Sequence, residues 1–180
     1  MFLNIITPCA RPFNLKVISE SINIPRDMYR WIVVFDSEMI PSDVEIPENA
    51  ETYCHTNSNS TVGHAQRNFA LDRIEKGHVY MNDDDTTIHP DLWGNIKDLD
   101  EDFISFAQNW PDGSLRLQGD VVALNYIDSH NFIVANRIIG DRRWIIHKYC
   151  ADGVFAQECY EHANTKVHIA KVLSIYNKLR

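Results

Sequence analysis

Short apolar runs alternate with stretches of helical periodicity through the first half of the chain. The runs lack polar alternation and are rich in β-branched and aromatic residues, which predicts strands buried on both faces of a sheet. The predicted strands cover 2–6, 31–35, 53–54 and 78–81. Apolar residues at helical spacing predict helices over 13–22 and 62–76. This β-α-β-loop-β-α-β order predicts an α/β fold: one Rossmann-like domain whose mostly parallel central sheet is flanked by helices.

The second half of the chain has a less regular pattern. Predicted helices cover 92–99 and 151–162, and predicted strands cover 103–107, 121–127, 132–134 and 167–172. No internal repeat divides the chain. A length of 180 residues suits one hydrophobic core, so residues 1–180 are expected to form a single domain.

Composition and charge exclude several classes of function. The 17 basic and 25 acidic residues give a net charge of −8, which argues against a nucleic-acid-binding protein because such proteins need a basic face. No apolar run approaches the roughly 18 residues of a membrane span, so no membrane span is expected. The first residues lack the basic start of a signal peptide, and the expected location is cytoplasmic. The four cysteines show no CxxC spacing, so no zinc site is predicted.

Three consecutive carboxylates, Asp83, Asp84 and Asp85, follow the predicted strand at 78–81. Alternate residues of an extended segment point the same way, so Asp83 and Asp85 can share one ligand while Asp84 points elsewhere. Carboxylate oxygens suit Mg²⁺ or Mn²⁺, and such ions complete their shells with water and substrate phosphates. A metal-bridged diphosphate at Asp83 and Asp85 is therefore the leading hypothesis. The alternative is an acidic turn that caps the next helix.

Other polar residues end the predicted strands at the same edge of the sheet, where open α/β folds bind their ligands. Thr7, Pro8 and Arg11 follow the first strand and could hold a nucleoside and its phosphate, or form a plain connection to the next helix. Asp36 ends the second strand and could accept a hydrogen bond from a base or a ribose, or form a turn.

Two predicted helix starts also carry residues that could bind a ligand or take part in catalysis. Gly63 permits a close approach of the backbone to a ligand. Arg67 follows it at a helix start, which favours anions. The alternative for Arg67 is an exposed position on an amphipathic helix. Asp152 starts a later helix and is the leading candidate for a catalytic base, with helix capping as its alternative. The other candidate acids are Asp128, Asp141, Glu158 and Glu161. The candidate imidazoles are His130, His147 and His162.

The assembled pattern resembles a known family. The motifs are Gly-His-Ala-Gln-Arg-Asn-Phe-Ala-Leu at 63–71, Val-Tyr-Met-Asn-Asp-Asp-Asp at 79–85 and His-Pro-Asp-Leu-Trp at 89–93. Together with Thr-Pro-x-x-Arg at 7–11 and with Asp36, they resemble the nucleotide-binding half of the GT-A glycosyltransferases, in particular family 2 and related small enzymes of bacteria and large viruses. The resemblance covers residues 2–93 well and the remainder loosely.

The resemblance implies a GT-A fold, a UDP- or GDP-sugar donor and a Mn²⁺ or Mg²⁺ ion. It implies that about residues 1–93 bind the nucleotide-sugar and that about residues 94–180 bind the acceptor and carry the catalytic base. Asp36 is expected near the nucleotide base, Asp83 near the ribose and the metal, and Asp85 as a direct metal ligand. The other residues expected to bind the donor are Thr7, Pro8, Arg11, Gly63, Arg67 and Asp84.

For the second half, the resemblance implies a third metal ligand and a base. A later histidine completes the metal shell in many such enzymes, and His147 is expected in that role, ahead of His130 and His162. Inverting members use a carboxylate near the start of a late helix, which Asp152 matches, with Asp128 next. The implied acceptor is a hydroxyl of a glycan or another molecule. A homodimer is among the compatible assemblies.

Two other functions compete with this interpretation. A nucleotidyltransferase of sugar phosphates usually has a glycine-rich loop after its first strand, and residues 7–11 contain no glycine. A non-catalytic nucleotide-sugar-binding module would not need the intact acid triplet. The chain is also shorter than most family members and lacks a clear Glu-Asp acceptor motif.

Overall fold

The strands form one open sheet. The computed structural model describes residues 1–60 and 62–180. Its strands are β1 (Leu3–Cys9), β2 (Tyr29–Phe35), β3 (Ala50–Cys54), β4 (His78–Met81), β5 (Phe103–Asn109), β6 (Leu115–Leu117), β7 (Phe132–Ala135) and β8 (Lys166–Ile175). Its α-helices are α1 (Leu15–Ser21), α2 (His64–Leu71), α3 (Leu92–Ile96), α4 (Asn136–Ile139) and α5 (Ala151–His162). The strand order is β3-β2-β1-β4-β7-β5-β6, and β8 pairs with β5.

The first half of the sheet is parallel because crossovers that contain α1 and α2 join its strands. β1 lies between β2 and β4, with Ile5 opposite both Trp31 and Tyr80, and β3 extends the sheet beyond β2. Every residue of β1 and β4 is buried, as their near-continuous apolar runs predict. The predicted α/β fold, with an open and mostly parallel sheet flanked by helices, is confirmed.

The second half of the chain adds antiparallel strands to this sheet. β7 runs antiparallel to β4, and β5 runs antiparallel to β7 and β6. β8 runs parallel to β5. Because β7 returns beside β4 with Tyr80 opposite Ile133, the residues just before β7 come next to the residues just after β4.

Alternation along the strands divides the core between the two faces of the sheet. Ile6 shares one buried cluster with α2 and α5, where the Phe155 ring stacks on Trp144 with centroids 3.6 Å apart. Ile5 and Trp31 share the other cluster with α1 and α3. Within residues 1–60 and 62–180, no helix combines the length and apolar character that crossing a membrane requires.

The sequence predicted the types of element better than their ends. The strand at 78–81 and the helix at 151–162 coincide with β4 and α5, whereas the helix predicted over 62–76 is the shorter α2. The strand predicted over 121–127 is wrong, because this segment forms bends and turns and Asn125 has a φ of +70°. β6 and α4 were not predicted from the sequence.

The first strand also ends later than predicted, because β1 continues beyond residue 6 to Cys9. The Ile6 carbonyl accepts from the N–H of Asn82, while the Cys9 carbonyl accepts from the N–H of Asp36 after β2. Since successive residues of a strand bond to opposite neighbours, the Pro8 nitrogen faces the β4 side of β1. It lies beyond the last pairing of β4, at Ile6, so its missing N–H removes no ladder bond.

Candidate metal and nucleotide site

The three carboxylates that follow β4 diverge. Asp83 and Asp85 turn toward His130, and one ligand atom from each of the three residues lies within 4.8 Å of the other two. Asp84 turns toward the end of β1, where its carboxylate accepts from two successive backbone N–H groups at 2.6 Å and pairs with the Arg11 guanidinium. These acids lie in a turn, closed by the Thr86 N–H donating to the Asp83 carbonyl at 3.2 Å, and not in the extended segment that the sequence predicted. The turn places Asp83 and Asp85 in a candidate metal group and leaves Asp84 as an anchor for the turn after β1.

Asp83 is held by two positive groups. Its Oδ1 lies 2.5 Å from Arg67 Nη2, and its Oδ2 lies 3.2 Å from His130 Nε2. Burial alone would raise the pKa of the Asp83 carboxyl, but Arg67 and His130 hold that pKa well below its usual range. Arg67 is buried and also donates from Nη1 to the Val62 carbonyl at 2.7 Å. Asp83 is therefore ionised beside a fixed guanidinium.

His130 is buried between two carboxylates. Its Nδ1 lies 3.0 Å from Asp128 Oδ1, and its Nε2 lies 3.0 Å from the Asp83 backbone nitrogen and 3.2 Å from Asp83 Oδ2. The Asp83 N–H can donate to Nε2 only if that nitrogen carries a lone pair, whereas the Asp83 carboxylate can accept from Nε2 only if it carries a proton. The two contacts therefore require different protonation states of His130. Burial lowers the pKa of His130, but Asp83 and Asp128 raise it to about 10, so a cation could bind Nε2 only by displacing its proton.

Asp85 completes a donor set that fits a divalent cation. Burial and then the neighbouring Asp83 raise the pKa of Asp85. Two carboxylates suit Mn²⁺ or Mg²⁺, and an imidazole ligand whose other nitrogen faces a carboxylate is the usual arrangement of a metal-binding histidine. Asp128 supplies that carboxylate to His130. The residues present therefore fit the metal that the resemblance implies.

Two clefts meet at these acids. The β1–α2 cleft, of about 260 Å³, lies between the ends of β1 and β2 and the start of α2. The α5 cleft, of about 280 Å³, lies between the loop after β4, the loop before β7 and the start of α5. The residues that line both clefts are Val62, Asp83, Asp85 and Arg180.

Most residues predicted to bind the donor line the β1–α2 cleft. They are Pro8, Arg11, Asp36, Gly63, Asp83 and Asp84. Asp36 is fixed by Gln66, whose Nε2 donates to Asp36 Oδ1 at 2.9 Å and to the His55 carbonyl at 2.7 Å. Gly63 has a φ of +78°, and a Cβ there would lie 2.6 Å from the Pro8 Cβ, so only glycine lets α2 approach β1 this closely.

Thr7 lines neither cleft. Its side chain is fully buried, and its Oγ1 accepts from Trp31 Nε1 at 2.9 Å. Thr7 therefore lies in the core and not in the nucleotide pocket where it was expected. Arg67, expected in the same pocket, lines the α5 cleft next to Asp83 instead.

The two candidate bases, Asp152 and Asp128, both line the α5 cleft but differ in charge environment. Burial and then the nearby Asp128 raise the pKa of Asp152 to about 6. For Asp128, burial is outweighed by His130 and Arg116, which lower its pKa to about 2. Arg116 Nη1 lies 3.1 Å from Asp128 Oδ2. Asp152 is thus the carboxylate better matched to accepting a proton near neutral pH.

The structure brings His130 to the acid pair rather than His147. His147 is exposed and lines neither cleft. His162 is exposed at the end of α5, where its Nδ1 contacts the Glu158 carbonyl at 2.8 Å. One signal could have found His130: it precedes a strand, and an antiparallel return beside β4 places it next to Asp83. Gln66 lies in the 63–71 motif without an expected role of its own, and nothing in the sequence pattern singled out Arg116 or Arg180.

The chain resembles known proteins in structure and not in overall sequence. No protein-family model and no curated protein matches it. The structure of S. aureus TarS residues 1–349 in complex with UDP matches with a TM-score of 0.75 and 18% identity, over 94% of this chain and 58% of that chain. This chain has the GT-A fold. The fold that the sequence resemblance implied is therefore confirmed.

A second solved structure supports the GT-A fold at lower identity. It is the mannosyltransferase PcManGT from Pyrobaculum calidifontis in complex with GDP-Man and Mn²⁺, with a TM-score of 0.65 and 11% identity over 97% of this chain and 56% of that chain. The chain thus spans somewhat more than half the length of TarS 1–349 and of PcManGT.

Proposed function

We propose that this chain is a metal-dependent glycosyltransferase that moves a sugar from a nucleotide-diphospho-sugar to an acceptor hydroxyl. One observation carries the proposal: Asp83, Asp85 and His130 form a candidate metal group, and its two acids stand where two clefts meet. A single centre is thereby accessible to two substrates. Proteins with the same fold include TarS, solved with UDP and with UDP-GlcNAc, and PcManGT, solved with GDP-Man and Mn²⁺.

The β1–α2 cleft is the proposed donor site, and about residues 1–93 supply most of it. Asp36, oriented by Gln66, would accept a hydrogen bond from the base of a UDP- or GDP-sugar. Arg11, which pairs with Asp84, and Arg67, which pairs with Asp83, would offer guanidinium groups to the diphosphate. With the donor bound in this way, its sugar–phosphate bond would lie at the junction of the clefts.

Asp83, Asp85 and His130 would hold the Mn²⁺ or Mg²⁺ ion, which when bound offsets the negative charge of a diphosphate leaving group. Asp128 would keep the His130 ring in the orientation that presents Nε2 to the site. Arg67 adds a buried positive charge that needs no rearrangement during the reaction.

Asp152 is the proposed base on the acceptor side, in the α5 cleft, most of which about residues 94–180 supply. It takes the proton of the acceptor hydroxyl while that oxygen bonds to the anomeric carbon of the sugar. The bond from this carbon to the diphosphate breaks on the opposite face, and its electron pair leaves with the nucleoside diphosphate. Such a displacement inverts the anomeric configuration. The acceptor is a glycan or another molecule with an accessible hydroxyl.

Slow donor hydrolysis without acceptor tests the proposal. The full chain is incubated with Mn²⁺ and a panel of UDP- and GDP-sugars, and released sugar and nucleoside diphosphate are measured. A transferase releases both from one preferred donor, and Asp85→Asn removes that release. Exchange that depends on pyrophosphate would instead indicate a nucleotidyltransferase, and binding without either reaction would indicate a binding module. Both of these results contradict the proposal.

A further inference from the structure

One carboxylate of the candidate metal group is shared with a guanidinium. Arg180 Nε lies 2.9 Å from Asp85 Oδ2, and Arg11 Nη1 lies 3.4 Å from the same oxygen. With its nitrogen toward Asp85, the Asn177 amide donates to that Oδ2 at 3.2 Å and accepts from Arg180 Nη1 at 3.2 Å. The Arg180 side chain is 56% exposed and that of Asp85 is 5% exposed. A long, solvent-facing side chain therefore meets a buried carboxylate.

The backbone near Arg180 is held independently of this ion pair. The Leu179 N–H donates to the Asp85 carbonyl at 2.7 Å, and the Tyr176 N–H donates to the Asn109 carbonyl at 2.9 Å. These bonds do not involve the Arg180 side chain. The guanidinium can therefore leave Asp85 by side-chain rotation while the segment stays in place.

A divalent ion and the guanidinium would compete for Asp85. Both are cations that need the same carboxylate, and like charges at contact distance repel. Arg180 also lines both clefts, so once it leaves Asp85 it remains beside the place where a diphosphate would lie. A guanidinium pairs well with phosphate oxygens.

We propose that Arg180 is an internal counter-cation that couples metal binding to nucleotide binding. Without a nucleotide, Arg180 neutralises Asp85, and the metal ion must displace it. With a nucleoside diphosphate present, the displaced guanidinium gains phosphate oxygens, so the ion and the nucleotide strengthen each other's binding. Arg180 acts through Asp85 and is a positioning residue. The inference rests on the proposed function.

The test measures Mn²⁺ affinity of the full chain by electron paramagnetic resonance of the free ion, with and without UDP or GDP. Arg180→Gln is expected to bind Mn²⁺ about two- to fivefold more tightly without nucleotide, because a partly exposed ion pair contributes about that much. The ratio of Mn²⁺ affinities with and without nucleotide is expected to fall by at least the same factor. Arg180→Lys keeps a cation and is expected to retain the wild-type ratio.

Lys178→Gln is the matched control, because it removes one positive charge from an exposed residue of the same segment. Unchanged or weaker Mn²⁺ binding in Arg180→Gln, or an equal gain in Lys178→Gln, overturns the inference. Asp85→Asn distinguishes this failure from failure of the proposed function. If the wild type binds Mn²⁺ no better than Asp85→Asn, the metal site itself is refuted. If only Asp85→Asn loses Mn²⁺ and Arg180→Gln equals the wild type, the role of Arg180 alone is refuted.

Discussion

The β1–α2 cleft and the α5 cleft share Asp83 and Asp85 but are assembled in different ways. Apart from Arg180, the first cleft is lined by strand ends, the turns that follow them and the start of α2, all within the first 85 residues. The second cleft combines the start of α2 with the segment from β6 to β7, the start of α5 and the segment after β8. Parallel topology gathers strand ends at one edge of a sheet, whereas loops need specific long-range contacts to converge.

Those contacts are visible around the segment between β6 and β7. Gly119 has a φ of +78°, and a Cβ there would lie 2.2 Å from the Phe106 carbonyl oxygen, so this segment passes directly over β5. At the start of α5, a Cβ on Gly153 would lie 3.1 Å from the Leu124 Cα. The α5 cleft therefore depends on a few close approaches, and the β1–α2 cleft depends on the sheet as a whole.

The largest expected effect is confined to the α5 cleft. Asp152→Asn removes the proposed base and is expected to lower kcat by about 10²–10⁴-fold. Donor binding should be unchanged, because Asp152 lines only the α5 cleft. Initial rates and calorimetric binding of a nucleoside diphosphate with Mn²⁺ measure the two quantities. Asp141→Asn, an exposed acid before α5, is the control. Near-normal turnover in Asp152→Asn would show that another residue is the base.

Asp85→Asn should affect both clefts, because Asp85 lines both and belongs to the metal group. Loss of a ligand is expected to weaken Mn²⁺-dependent binding of the nucleoside diphosphate by about 100-fold, at the upper end of effects seen when the surroundings of a metal site are changed. Calorimetry with and without Mn²⁺ measures this. Asp98→Asn, an exposed acid after α3, should bind as the wild type does. Equal binding by Asp85→Asn and wild type would show that the acids do not hold the metal.

The dependence of kcat on pH should report the α5 cleft alone. Asp152 must be ionised to accept a proton, and its pKa is raised to about 6, so activity is lost as the pH falls through this value. With Mn²⁺ and donor saturating, the rate at pH 5 is expected to be about tenfold below its plateau. The residual rate of Asp152→Asn should show no such decrease at low pH. A decrease in rate centred near pH 4, the ordinary range of a carboxyl pKa, would argue against Asp152 as the base.

The smallest expected effect is confined to the β1–α2 cleft. Gln66→Leu removes the amide that orients Asp36, and one net hydrogen bond corresponds to a loss of nucleoside diphosphate affinity of about three- to tenfold. Mn²⁺ affinity should stay at the wild-type value, because Gln66 does not line the α5 cleft. Gln157→Leu, on the exposed side of α5, is the control. Unchanged nucleotide affinity in Gln66→Leu would show that Asp36 needs no support.

The β1–α2 cleft was largely predictable from the sequence, and the α5 cleft was not. The apolar run at 78–81 and the acids after it predicted β4 and the position of Asp83 and Asp85 at a sheet edge. The strand predicted over 121–127 failed because its apolar residues Val121, Leu124 and Tyr126 are exposed on turns rather than paired in the sheet. Apolar spacing records which residues avoid water but not which partner covers them.

The sequence by itself determined the order of strands and helices over residues 1–93, the burial of β1 and β4, and the edge of the sheet that carries the acids. All of these follow from periodicity and chain direction, which are local properties. Only the tertiary structure decided that Thr7 faces the core, that His130 rather than His147 joins the acids, and that Arg180 reaches Asp85. These outcomes depend on contacts between distant segments, and their geometry is set by packing across the whole sheet.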